Sequence, residues 1–375
     1  MSIGEPRHNF PGFVGDVLAS NLAGFAKYPP ARGTKSFRDT LGAWLDRRYG
    51  LAGKLDPETS LLPLAGSREG LFLIALLAAD KARARGVEKP VFLVPNPFYQ
   101  TYAAAVQAAG GEAIYMPALK AHNYLPDLRS IPSQSLDRLA AIYLCSPANP
   151  QGTVASQPYW QHLFDLARNH DAIVLADECY SEVYRDAPPV GALEAANGDF
   201  SSILSFNSLS KRSNLPGLRA GFVAGDPELI NPFFIQRNIA AAMVPLPILA
   251  VAEAAYSDEA HVEESRALYN QKFDAAAAIL GDRFGHKTPQ GAFFLWLDMS
   301  EYDPPRSDLE PGETIGEAAT RCLWRKAGIK VIPGSYLTMP PHGGPDPGAS
   351  FIRLALVGDL EQTRTALTRL TQVIS

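Results

Sequence analysis

The sequence predicts an α/β fold: a large, mainly parallel sheet covered by helices on both faces, joined to a smaller α/β unit. Three observations carry this expectation. Short runs rich in β-branched and aromatic residues recur through the first two thirds of the chain. Segments with helical apolar spacing lie between them, which is the pattern of strand–helix–strand units. The last third then changes character, with one long Ala-rich helical stretch followed by strand, helix, strand and a closing helix.

The predicted strands cover residues 91–94, 142–144, 173–176, 203–206 and 222–224. Each is apolar on consecutive positions, as expected for a strand buried on both faces. The predicted helices between them cover 67–85, 99–109 and 159–170; in the third, Leu163, Leu166 and Ala167 share one face. Residues 248–280 read as a long helical pattern with an interruption. They are followed by a strand over 292–297, a Pro- and acid-rich loop over 302–312, a helix over 314–327 and a strand over 351–356. The expected division places residues 30–258 in the large domain. Residues 1–29 and 259–375 form the small domain with its N-terminal segment, the boundary falling near residues 255–266. Gly and Pro are scattered, so no disordered linker is expected.

At 375 residues the chain is long enough for two or three domains. Lys and Arg number 34 against 39 Asp and Glu, a formal net charge of −5. No global basic field is present to hold nucleic acid. The longest clean apolar stretch, residues 71–79, stops at Asp80 and is too short to span a bilayer. The opening MSIGEPRHNF lacks the basic-then-apolar pattern of a signal peptide. Cys145, Cys179 and Cys322 form no C-x-x-C pair, and no H-E-x-x-H occurs. A cytoplasmic protein without a structural metal site is therefore expected.

In doubly wound sheets, ligands bind beyond the carboxyl ends of the strands. The residues placed there are Pro95-Asn96-Pro97-Phe98-Tyr99, Cys145-Ser146-Pro147-Ala148-Asn149-Pro150, Asp177-Glu178-Cys179-Tyr180 and Asn207-Ser208-Leu209-Ser210-Lys211, with Gly217 and Arg219 following. Amine, carboxylate, amide and aromatic ring thus converge on one edge. Gly66-Ser67-Arg68 opens a helix, where free amides, a hydroxyl and a guanidinium make a phosphate cradle. Pyridoxal 5'-phosphate calls for all of these groups: an amine for a covalent link, an anion at its ring nitrogen, donors to its ring oxygen and a phosphate cup.

With S-x-S-K and an arginine eight residues on, downstream of A-D-E-x-Y and S-P-x-N-P-x-G, the chain resembles a class I/II aminotransferase of the fold-type-I pyridoxal-phosphate enzymes from Gly4 to Arg353. The resemblance implies roles. Lys211 would link to the cofactor and later shuttle a proton, Asp177 would hold the ring nitrogen, and Tyr180 and Asn149 would bond the ring oxygen. Tyr99 would stack on the ring. Gly66, Ser67, Arg68, Ser208 and Arg219 would hold the phosphate. Arg353, with Asn149 and the backbone at Gly4, would take the substrate α-carboxylate. Tyr28 would cross to the neighbour's phosphate, so the resemblance implies a homodimer with shared active sites. Glu69, Glu178 and Cys179 read as structural.

Within the family, residues 258–269 and the opening 2–8 are similar to N-succinyl-diaminopimelate aminotransferases of lysine biosynthesis. Residues 237–242 depart from the Gly- and Thr-bearing segment expected of that branch. Glutamate and 2-oxoglutarate are the expected second pair. An aspartate- or aromatic-type aminotransferase and a carbon–sulfur β-lyase on the same scaffold remain as alternatives. Arg7 and Arg32 are candidates for a charged substrate arm. Relatives usually run a further segment before the position of Gly4, so the expected start is a short one.

Overall fold

The computed structural model describes residues 1–305, 309–341 and 344–374; part of the loop expected over 302–312 lies outside the described residues. Seven strands form one sheet: β1 (Leu61–Leu64), β2 (Val91–Asn96), β3 (Glu112–Pro117), β4 (Leu139–Cys145), β5 (Ile173–Asp177), β6 (Ile203–Ser208) and β7 (Gly221–Gly225). Their order is β1-β7-β6-β5-β4-β2-β3. Strands β3, β2, β4, β5 and β6 run parallel, and β7 is antiparallel to both its neighbours. A second, antiparallel sheet has the order β8 (Phe294–Asp298), β10 (Phe351–Ala355), β9 (Ile332–Pro333).

The strands alternate between two cores, as a pleat of period two requires. In β4, Ile142 and Leu144 join one apolar cluster, while Ala141 and Tyr143 join the other. In β5, Val174 and Ala176 face one way and Ile173 and Leu175 the other. Helices Lys35–Tyr49, Gln157–Asn169 and Leu246–Ser257 cover the first face through Phe37, Leu41, Trp44, Trp160, Leu163, Phe164 and Leu249. Helices Ser67–Ala84, Gln100–Ala108 and Pro227–Ala240 cover the second through Leu71, Ile74, Ala78, Tyr102, Leu229 and Phe233. Sheet residues buried on both sides have no access to water, which is why these strands read as unbroken apolar runs.

A third apolar cluster surrounds the small sheet, where Phe273, Leu280, Leu295, Leu323, Ile352, Leu354 and Leu367 pack together. The long helical pattern is two helices, Leu246–Ser257 and Ala260–Leu280, broken at Asp258 and Glu259. Strands β1 and β3 were outside the expected set. β1 is four residues long and contains Pro63, and β3 is a half-buried edge, so neither carries the signal of a buried strand. Among the described residues, no helix is long and apolar enough to cross a membrane.

Candidate active site

The carboxyl ends of β2, β4, β5 and β6 open on the same side of the sheet, and the edge closes there against β8 and β10. Between them lies a cavity of about 550 Å³. Gly4, Ser67, Arg68, Tyr99, Asn149, Asp177, Tyr180, Ser208, Lys211, Arg219 and Arg353 all line it. Sequence elements up to 351 residues apart thus meet at one place.

Lys211 sits on the one-turn helix Leu209–Arg212, directly after β6. Its Nζ donates to the Gly4 carbonyl and lies 5.6 Å from the Phe293 ring centroid. Burial pushes the amine down from the ordinary lysine value to about 8, and the guanidiniums of Arg353 and Arg68 add to that. The Glu5 carboxylate pulls the other way. An amine at about 8 is neutral often enough near neutral pH to act as a nucleophile. Gly4 is required here by space: a Cβ would lie 2.7 Å from the Phe294 ring.

Asp177 ends β5 with its carboxylate buried. The Tyr102 hydroxyl donates to Oδ2 at 2.5 Å, and the Cys179 amide lies 3.3 Å from Oδ1. Burial raises the carboxyl's pKa, while the bonds from Cys179 and Tyr102 favour the anion. A buried anion held by two donors and facing an empty volume is suited to a cationic ring N–H. Tyr102 itself stacks on Tyr143 at 4.5 Å, which fixes its direction.

The opposite end is a cradle. Gly66 has φ +83°, and a Cβ there would fall 2.2 Å from Arg219 Nη2. Only glycine lets the guanidinium lie this close to the turn. Arg219 donates to the carbonyls of Pro216 and Ala65, at 2.9 and 3.2 Å. The Ser67 hydroxyl is 2.9 Å from Cys179 Sγ, and the Ser208 hydroxyl 2.9 Å from that of Ser210. First-turn amides, three hydroxyls and a guanidinium fit a phosphate. Behind the turn, Glu69 accepts from the Ala65 amide at 2.9 Å and from Arg237 Nε at 2.7 Å. Residues 237–242 thus begin with a buried brace for the cradle, and Glu69 is structural as expected.

Arg353 projects from the middle of β10 and is 7% exposed. It donates to Asn149 Oδ1 at 3.1 Å and to the Ser2 carbonyl at 2.8 Å, with Phe294 at 4.6 Å. Its Nε is buried with no hydrogen-bond partner among the described residues. A desolvated guanidinium with an unfilled donor favours a carboxylate, which two parallel bonds would satisfy. Tyr180 stands edge-on to Phe293 and Phe294 beside it, and Tyr99 accepts from Arg68 Nε at 2.6 Å.

The donor set therefore fits pyridoxal 5'-phosphate: an amine, a buried anion, a buried guanidinium and a phosphate cradle share one cavity. Tyr28 stands apart, fully exposed and outside this cavity within one chain. Arg32 also stands apart, stacked 4.2 Å over Phe234 and donating to Asn231 at 2.9 Å. Arg7 does not line the cavity. Sequence reasoning gave no site role to Tyr102, Ser210, Cys179, Phe294 and Glu5, which also line the cavity. A signal existed for Tyr102, one helical turn beyond Tyr99, and for Ser210, adjacent to Lys211. Glu178 is structural as expected, buried and accepting from Ser205 and the Ala192 amide.

Comparison with known proteins agrees with this chemistry. Residues 7–370 match the family model for aminotransferase class I and II. An LL-diaminopimelate aminotransferase of Moorella thermoacetica is 30% identical over 378 residues, covering 100% of this chain and 90% of the relative. The crystal structure of an aminotransferase from Neisseria meningitidis superposes with a TM-score of 0.90 at 37% identity, covering 100% of this chain and 91% of that one. A probable N-succinyldiaminopimelate aminotransferase from Thermus thermophilus gives a TM-score of 0.84 at 25% identity, with 100% and 94% covered.

Proposed function

The chain belongs to the class I and II aminotransferases, and on that premise we propose that it moves an amino group between an L-amino acid and a 2-oxo acid in the cavity between Asp177 and Arg353, with glutamate and 2-oxoglutarate as one pair. Pyridoxal 5'-phosphate is the cofactor of this family, and when bound it supplies an electron sink for the electrons left at the substrate Cα.

The observation that carries the proposal is that one cavity is lined by Lys211, the buried carboxylate of Asp177 and the buried, incompletely bonded guanidinium of Arg353. Lys211 is the residue that would hold the cofactor. Once freed, its Nζ takes and returns the proton at the substrate Cα, for which a pKa of about 8 is well matched. Asp177 would hold the ring N–H, and Tyr102 holds that carboxylate in place. The amides at Gly66 and Ser67, the hydroxyls of Ser208 and Ser210, and Arg219 take the phosphate. Arg353 orients the α-carboxylate, with Asn149 fixing the guanidinium plane and keeping its amide nitrogen for the ring oxygen. Tyr99, Tyr180 and Phe294 give the cavity aromatic walls.

For the substrate, the reading is a diaminopimelate-type amino acid, supported by the names of the relatives above. The resemblance of residues 2–8 and 258–269 supports the N-succinylated form within that class. We place the domain division at the break between the two long helices, giving residues 30–258 on one side and residues 1–29 with 259–375 on the other. The active unit is a homodimer in this reading; the full exposure of Tyr28, beside exposed Phe25, supports its reaching a partner's phosphate.

The test is a half-reaction. Glutamate alone, added to the cofactor-loaded chain, should convert the cofactor's absorption to that of its amino form. A panel of donors against 2-oxoglutarate, including LL-diaminopimelate and its N-succinyl derivative, then ranks substrates by kcat/KM. No spectral change with any donor contradicts an aminotransferase. Pyruvate and ammonia from cystathionine without an oxo-acid acceptor would assign the β-lyase instead.

A further inference from the structure

Outside the cavity, one buried polar chain has no part in the chemistry above. Lys272, on the helix Ala260–Leu280, is 2% exposed. It donates to the Leu356 carbonyl at 3.1 Å and lies 2.6 Å from His8 Nε2. As an ammonium Lys272 has only hydrogens to donate, so in that form Nε2 accepts and His8 carries its proton on Nδ1. That Nδ1 faces the Ser265 hydroxyl at 3.3 Å. Asn214 Nδ2 lies 3.2 Å from the same hydroxyl and 3.3 Å from the Asn9 carbonyl. The His8 ring also packs against Tyr269, with centroids 4.4 Å apart.

The chain joins the three segments that build one end of the site. Asn214 follows Lys211 closely, Leu356 follows Arg353 closely, and His8 follows Gly4 closely. A second tie lies at the other end of the N-terminal segment, where the Ala355 amide donates to the Met1 carbonyl at 2.7 Å. Residues 1–8 are therefore a strap pinned at both ends. Between the pins, the Ser2 carbonyl accepts from Arg353 and the Gly4 carbonyl from Lys211.

Lys272 makes no ion pair among the described residues, so its burial is costly and its packing alone does not account for an amine there. What an amine does that an apolar side chain of the same volume cannot is hold His8 in one direction while gripping the exit of β10.

We propose that Lys272 is a positioning residue for the substrate-carboxylate end of the site: through His8 it sets the strap so that Ser2 and Gly4 lie against Arg353 and Lys211. When a substrate carboxylate takes Arg353, the Ser2 carbonyl gives up its bond, and the outer pins keep the strap in register over the bound ligand. The inference rests on the aminotransferase reading for its kinetics but not for its structural readout.

The experiment compares Lys272→Met, His8→Leu and His8→Gln in the full, cofactor-loaded chain. Loss of one buried, charge-assisted bond should raise KM for the amino donor about 10-fold in the first two, with kcat changed by less than about 2-fold. His8→Gln keeps an acceptor and should stay within about 2-fold of the unaltered chain. Amide hydrogen exchange over residues 2–8 should quicken in Lys272→Met and His8→Leu and not in His8→Gln. The proposal is overturned if His8→Leu leaves KM and exchange unchanged, if kcat falls as much as KM rises, or if His8→Gln is as poor as His8→Leu. Should Lys272→Met fail to fold, the His8 pair decides alone, since His8 lies on the strap. Inactivity of the unaltered chain on every donor would remove the aminotransferase reading, and the exchange comparison would still support or overturn the strap.

Discussion

Two lysines, half-buried Lys211 and buried Lys272, each bond the N-terminal strap, and burial pushes both amines down to about 8. Their surroundings are opposite. Lys211 faces a cavity of about 550 Å³ that Asp177 and Arg353 also line. Its hydrogen-bond partner is the Gly4 backbone carbonyl. Lys272 has its bonds directed to His8 and Leu356 and faces no such cavity. A depressed pKa makes an amine available; open volume and charged neighbours decide whether it becomes a nucleophile or a fastener. The same physical shift therefore serves chemistry at one site and geometry at the other.

Replacement separates the two most strongly. Lys211→Ala should lower turnover by more than about 10⁴-fold, since covalent attachment and proton transfer are both lost. Single-turnover absorbance with glutamate measures it, and the protein should still fold, because Lys211 is half-buried at the edge of a cavity. Lys272→Met should retain turnover. If the two variants lose turnover equally, the distinction between them fails.

A smaller effect sharpens the same contrast. The neutral form of Lys211 is the reactive one, and its pKa lies below the ordinary lysine value, so reactivity is gained as pH rises and levels off near 8. Uptake of pyridoxal phosphate by the cofactor-free chain should quicken by about tenfold per pH unit below that point and flatten above it. Stopped-flow absorbance between pH 6 and 10 follows it. A rise that continues to pH 10 would mean that Lys211 titrates as an exposed lysine does.

The floor of the site was legible in the sequence because parallel strands confine a ligand to their carboxyl ends. Once residues 173–176 and 203–206 are read as strands, Asp177 and Lys211 must share that edge. Gly66 was legible for a related reason: a glycine before a helix start leaves its amides open. The rim was not legible. Tyr102 gives no sign in the sequence that its hydroxyl meets Asp177, because the bond depends on how a helix packs against β4. The strap depends on His8 and Lys272, which are 264 residues apart and share no motif. Arg32, suggested as a substrate arm by its proximity in sequence to Tyr28, has its guanidinium on Phe234 within one chain. Strand β3 was missed because an edge strand with one half-buried face lacks the unbroken apolar run that marked the central strands.

The central claim is that Lys211, of the two depressed lysines, carries the cofactor. Borohydride makes a reversible lysine–cofactor bond permanent, so loading the chain with pyridoxal phosphate, reducing it and mapping the modified peptide by mass spectrometry tests this directly. The modified residue should be Lys211, with the Lys272 peptide unmodified. Label on Lys272, or an unlabelled Lys211 in a chain that has taken up cofactor, would contradict it.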